Sequence, residues 1–72
     1  MKTIKKAVMV TFENYYFRLQ NQLVIGTINE NRAIKAVKRD QIGRKCDIKK
    51  CVVLKNVNAS DIDFDLDFAI EL

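Results

Sequence analysis

The sequence predicts a two-layer α+β domain, one helix packed on an antiparallel sheet in the order ββαββ. Three observations lead there. Apolar and polar residues alternate near both ends of the chain, the period of a half-buried strand. Residues 30–41 carry apolar side chains at helical spacing. Proline is absent and Gly26 and Gly43 are the only glycines, so linkers and low-complexity stretches have no place. With 72 residues, 49% of them apolar and 31% charged, the chain suffices for one small core under a charged surface, and a single domain over residues 1–72 is expected.

The first strand brings Ile4, Val8, Val10 and Phe12 to one face, with Lys6 among them. Beyond Glu13-Asn14, the odd positions Tyr15, Phe17, Leu19, Leu23 and Ile25 form an apolar row interrupted at Asn21. A two-residue turn at Glu13-Asn14 would set Phe12 opposite Tyr15, Val10 opposite Phe17, Val8 opposite Leu19 and Lys6 opposite Asn21. The polar interruptions then coincide. A one-residue slip would turn a whole apolar row to solvent, which selects this register. The alternative breaks the second strand at Gln20-Asn21-Gln22, giving βββαββ.

Asn29 reads as a helix N-cap, with Glu30 placing negative charge in the first turn. In the helix that follows, Ala33, Ile34, Ala36 and Val37 gather on one side and Arg32, Lys35 and Arg39 on the other, with Lys38 at the margin. Gly43 is the expected stop. Residues 44–50 look like a basic connection into a strand Cys51-Val52-Val53-Leu54, which is apolar on both faces and therefore expected at the centre of the sheet. Residues 56–60 make the next turn. Last, Ile62, Phe64, Leu66, Phe68, Ile70 and Leu72 alternate with Asp61, Asp63, Asp65, Asp67, Ala69 and Glu71, which predicts a terminal half-buried strand despite the poor strand propensity of Asp.

Charge is segregated along the chain. Residues 1–58 hold all 13 Lys and Arg against four acids, and residues 59–72 hold five acids and no base, within a net charge of +4. Arg32, Lys35, Lys38, Arg39, Arg44, Lys45, Lys49 and Lys50 are the candidate basic contact residues, an anion-seeking surface in any fold that gathers them. Set against that is a merely solvated helix face. Asp61, Asp63, Asp65, Asp67 and Glu71 are the candidate acidic contact residues. On a strand they recur every ~6.6–7 Å, too far apart for one small ion but close to the charge spacing of a nucleic-acid backbone. They could instead pair with Lys49, Lys50 or Lys55, or protect an edge strand.

Catalysis has little to work with. Histidine is absent, and Ser60 is the only serine. No metal or cofactor is expected, because Cys46 and Cys51 lie outside any Cys-x-x-Cys or zinc spacing. They read as reduced thiols, with a short-loop disulfide or a metal shared between two copies as alternatives. No segment reaches the ~20 apolar residues of a membrane span, and a cytoplasmic chain without a secretory signal is expected.

The reading is a small non-enzymatic binding protein, monomer or homodimer, that docks on a protein partner such as a nucleic-acid-binding complex, as an inhibitor or accessory factor of nucleic-acid-handling machinery. Small phage- and plasmid-borne inhibitors, anti-CRISPR proteins among them, are similar in size and design, an analogy of type that no motif carries. The alternative is direct DNA or RNA binding by the basic helix and following loop, where Tyr15 and Tyr16 offer rings for stacking.

Overall fold

The computed structural model describes residues 3–72, the side chains of Asp63 and Phe64 excepted. Strands β1 (Thr3–Glu13) and β2 (Leu19–Ile25) lead into helix α1 (Glu30–Asp40). Strand β3 (Asp47–Asn58), a 3-10 turn (Ala59–Ile62), the one-turn helix α2 (Asp63–Leu66) and a two-residue strand β4 (Ile70–Glu71) follow. The four strands form one mixed sheet in the order β3-β1-β2-β4. It is an α+β fold, but not the all-antiparallel two-layer sheet expected. β1 pairs antiparallel with both β2 and β3, whereas β4 runs parallel to β2. β2, β3 and β4 therefore point one way and β1 alone the other. Two crossovers result: α1 carries the chain from β2 to β3 across one face, and residues 59–69 return it to the far edge.

Both faces of the sheet are consequently covered. Val8, Val10 and Phe12 of β1 and Val24 of β2 bury against Ala33 and Val37 of α1, with Ala36, Cys46, Ile48, Cys51 and Ile70 at the margin. Ile4, Ala7, Leu23 and Ala59 form a second cluster, on which Met9, Ile25, Leu54, Ile62, Leu66 and Ala69 pack. The central strand is β1, whose run Ala7-Val8-Met9-Val10 is apolar on both sides. β3, expected at the centre, lies at an edge, and Val52 and Val53 are about 40% exposed there.

The hairpin register differs from the expected one. β1 and β2 pair Phe12 with Gln20, Val10 with Gln22 and Val8 with Val24, so the turn spans residues 14–18 rather than Glu13-Asn14. The shift is an odd number of residues, which turns Leu23 to the second face and Val24 to the helix face. β2 is one strand, so the broken-strand alternative does not hold. Gln22, brought to a buried position, satisfies its amide by donating to the carbonyls of Phe68 at 2.6 Å and Leu23 at 3.2 Å.

Two irregularities fit β3 to β1. Thr11 pairs with Lys50 and Phe12 with Ile48, leaving Lys49 as the extra residue of a bulge. Ile48 and Cys51, three apart, thereby both reach the helix-side cluster. Farther along, the pairing passes over Lys5 and Asn56, and Asn56 adopts φ +53. Residues 56–58, expected in a turn, thus remain in β3.

Helix α1 follows its sequence closely. The Asn29 side chain accepts from the Arg32 N–H at 3.0 Å, and the Asn29 N–H donates to Thr27 Oγ1 at 3.0 Å. Asp40 ends the helix, and Gly43, at φ +79, lies in the turn beyond, where the Arg44 N–H donates to the Gln41 carbonyl.

The terminal segment departs most from expectation. Ala59, Ile62, Leu66 and Ala69 recur at intervals of three and four residues, and in helical turns this spacing faces one stripe to the second cluster. Only Ile70 and Glu71 are extended.

Candidate functional site

Asn14 organises the tip of the β1–β2 hairpin. Its backbone N–H donates to the Arg18 carbonyl at 2.9 Å, and its carbonyl accepts from the Phe17 N–H at 3.0 Å. Its side-chain oxygen accepts from the N–H groups of Tyr16 and Arg18 at 3.0 and 3.2 Å. Closing this loop puts Phe17 at φ +59, a left-handed conformation that costs a side-chain-bearing residue about 1–2 kcal/mol. The result is three consecutive aromatic side chains facing water: Tyr15, Tyr16 and Phe17 are 73%, 76% and 77% exposed. Leu19 and Ile42 are exposed as well. The expected inward row of Tyr15, Phe17 and Leu19 is thus replaced by an outward one, because all three precede the part of β2 that the core covers.

The loop after α1 closes on this tip. Lys45 donates to Glu13 Oε1 at 2.9 Å and holds its ammonium 4.2 Å from the centre of the Phe17 ring. Tyr15 and Tyr16 meet edge to face, with ring centres 5.7 Å apart. Between the two loops lies a cavity of about 450 Å³, with Asn14, Tyr15, Tyr16 and Gln20 on one side and Gln41, Gly43, Arg44 and Lys45 on the other. A neighbouring hollow of about 620 Å³ shares Gln20 and Gln41 but carries Asp40 and Asp65. The two openings therefore have opposite electrostatic character.

The basic candidates are divided by this arrangement. Arg44 and Lys45 line the first cavity, and the charges of Lys38, Lys45 and Lys49 all reach Asp47, close to the same end. The Lys49 ammonium hydrogen-bonds Asp47 at 2.9 Å, holding its carboxyl below the usual carboxylate range, and is itself held above the usual ammonium range. Arg32, Lys35 and Arg39 are exposed on α1 and Lys50 on β3, outside the cavity wall. Among the described residues only Lys45 and Lys49 form ion pairs, with Glu13 and Asp47. Among the described residues, the acids of the terminal segment do not pair with Lys49, Lys50 or Lys55.

Nor do those acids form a row. Asp61 is exposed on the 3-10 turn, Asp65 half-buried on α2, Asp67 exposed just after it, and Glu71 exposed on β4. The Asp63 side chain lies outside the described residues. The even charge spacing of a strand face, on which mimicry of a nucleic-acid backbone rested, is absent from the described acids because the segment is helical. Lys49, Lys50 and Lys55 stand on one edge strand and Glu71 on the other, three strand spacings or about 14 Å apart.

Cys46 and Cys51 are half-buried free thiols packed on the helix-side cluster. Burial pushes both thiols above the usual range; Lys38 opposes this at Cys46, and Glu30 reinforces it at Cys51. Neither is activated as a nucleophile.

The contribution of Phe17 and Gln20 was hidden in the sequence by the two-residue turn expected at Glu13-Asn14, and that of Gln41 by its place at the end of the helix expected over residues 30–41. Three adjacent aromatics break the apolar–polar alternation of a half-buried strand, and that break, after a turn-forming Asn, was the available pointer to a loop. No family model, curated protein or solved structure matches this chain.

Proposed function

We propose that this chain is a small non-enzymatic binding protein that docks on a macromolecular partner, as an accessory or inhibitory factor of nucleic-acid-handling machinery, through its aromatic–basic end. The observation that carries the reading is the run Tyr15-Tyr16-Phe17, each ring about three-quarters exposed on a loop tied by four hydrogen bonds. Exposed rings on an ordered loop lose little conformational freedom when a partner covers them. Tyr and Arg are also the side chains in which binding energy concentrates, and here they adjoin. Arg44, Lys45 and nearby Lys38 supply positive potential that favours an anionic partner and speeds encounter.

The test is retention of partners from cell lysate on the immobilised chain, with and without nuclease, beside a Tyr15→Ala/Tyr16→Ala variant and Arg44→Ala. A partner held by the wild type and lost from both variants is expected. Equal retention by all three would place the contact surface elsewhere and overturn the reading.

A further inference from the structure

We propose that the cavity between the 14–18 and 41–45 loops is a binding site for single-stranded nucleic acid, which seats an unpaired base against Tyr15 or Tyr16 and a flanking phosphate on Arg44. This rests on the reading that the aromatic–basic end is the contact surface, and it names the partner's chemistry.

The composition of the wall decides between partner classes. Two aromatic rings, the amides of Asn14, Gln20 and Gln41, Arg44 and Lys45 line the opening, and among the described residues no aliphatic side chain does. A leucine or isoleucine anchor from a protein would meet amides and cations there. A nucleobase offers a flat face to the tyrosines and polar edges to Gln20 and Gln41, while its phosphates meet the cations. The two tyrosines stand edge to face, with each side chain about three-quarters exposed, so that ring surface is free to receive a base. A paired base inside a duplex cannot present its face, which makes the site selective for single strands. The adjoining hollow, with Asp40 and Asp65, repels phosphate and leaves the Arg44 side as the favoured path for the backbone.

Lys45 contributes less charge than its position suggests, since Glu13 is 2.9 Å from its ammonium. Its main effect is to fix the loop by holding both Glu13 and the Phe17 ring. Arg44 is exposed and joins no ion pair among the described residues, and its charge is available to the ligand.

The experiment is fluorescence anisotropy of a labelled oligothymidylate and of a labelled duplex of the same length, over a range of salt. The expected result is tighter binding of the single strand, with log K falling against log salt at a slope of about −0.7 per phosphate contacted. Removing the ring that carries the base, tested by Tyr15→Ala and Tyr16→Ala separately, should weaken it roughly 5- to 100-fold with the slope unchanged. Arg44→Ala should weaken it and make the slope shallower by about 0.7. Thermal melts verify that the variants, all at exposed positions, remain folded. Equal affinity for both forms, or tyrosine variants that bind as the wild type does, would overturn the site as association by charge alone.

Failure of the oligonucleotide to bind, beside a nuclease-resistant partner lost from the tyrosine variants in lysate, would overturn this inference and leave the docking surface standing. No oligonucleotide binding and no such partner would overturn both.

Discussion

Gly26 sits at φ +102, and a Cβ added there would lie 3.1 Å from the Leu72 carbonyl oxygen, a backbone atom that would have to give by a few tenths of an ångström. Leu72 is tied in place, its N–H donating to the Ile25 carbonyl at 3.0 Å. Gly43 also has positive φ, +79, but nothing lies within 4 Å of its added Cβ. The pair separates backbone strain from collision. Gly43→Ala should destabilise by about 1 kcal/mol through conformation alone. Gly26→Ala should lose about 2–3 kcal/mol by adding displacement of residues 70–72 to the same strain. Denaturant titration of both variants measures the difference, and equal losses would show that the β2–β4 contact yields freely. At this scale the sequence was most legible where chemistry is local. Asn29 was identifiable as an N-cap because its hydrogen bond reaches only to Arg32. What Gly26 must avoid is 46 positions away and leaves no local trace.

Between β3 and β4 the elements test how two periodicities compete in one sequence. Residues 61–72 alternate strictly enough to read as a strand, yet Ala59, Ile62, Leu66 and Ala69 stand at helical spacing, and the chain follows the second pattern. Two pointers favoured it. Asp is disfavoured in strands, and Ala69 breaks the acidic row at a position where a strand face would have accepted another acid. In the structure Ala69 packs on the second cluster. Ala69→Asp therefore discriminates sharply. A solvated strand face would tolerate it within about 0.5 kcal/mol, whereas a carboxylate set against the second cluster should cost roughly 1–3 kcal/mol. The melting temperature should fall accordingly, and a variant as stable as the wild type would contradict the helical placement. The same misreading explains why the acidic contact residues were legible only as a list: their spacing in space depends on the backbone that carries them.

Sheet order, at the scale of the whole molecule, is decided by which strand is apolar on both faces. Applied to Cys51–Leu54, that criterion names the wrong centre; applied to Ala7-Val8-Met9-Val10, it names β1, which the fold buries between two covered faces. The segregation of charge was legible in the chain, but the placement of Lys49, Lys50 and Lys55 on one edge and Glu71 on the other follows from the two crossovers and was not. The order has a consequence, because β3 offers twelve residues of edge, with Val52 and Val53 partly exposed, to any other strand. Such an edge pairs with copies of itself unless something prevents it. Lys50 and Lys55 are exposed on it, the bulge at Lys49 distorts it, and Asn56 at φ +53 interrupts it near its end. If the charges are the main guard, Lys50→Val with Lys55→Val should raise the average mass with concentration in light scattering, and by more than in the wild type. Identical mass for the two chains at every concentration would assign the protection to the bulge and the Asn56 kink, both of which survive the substitutions.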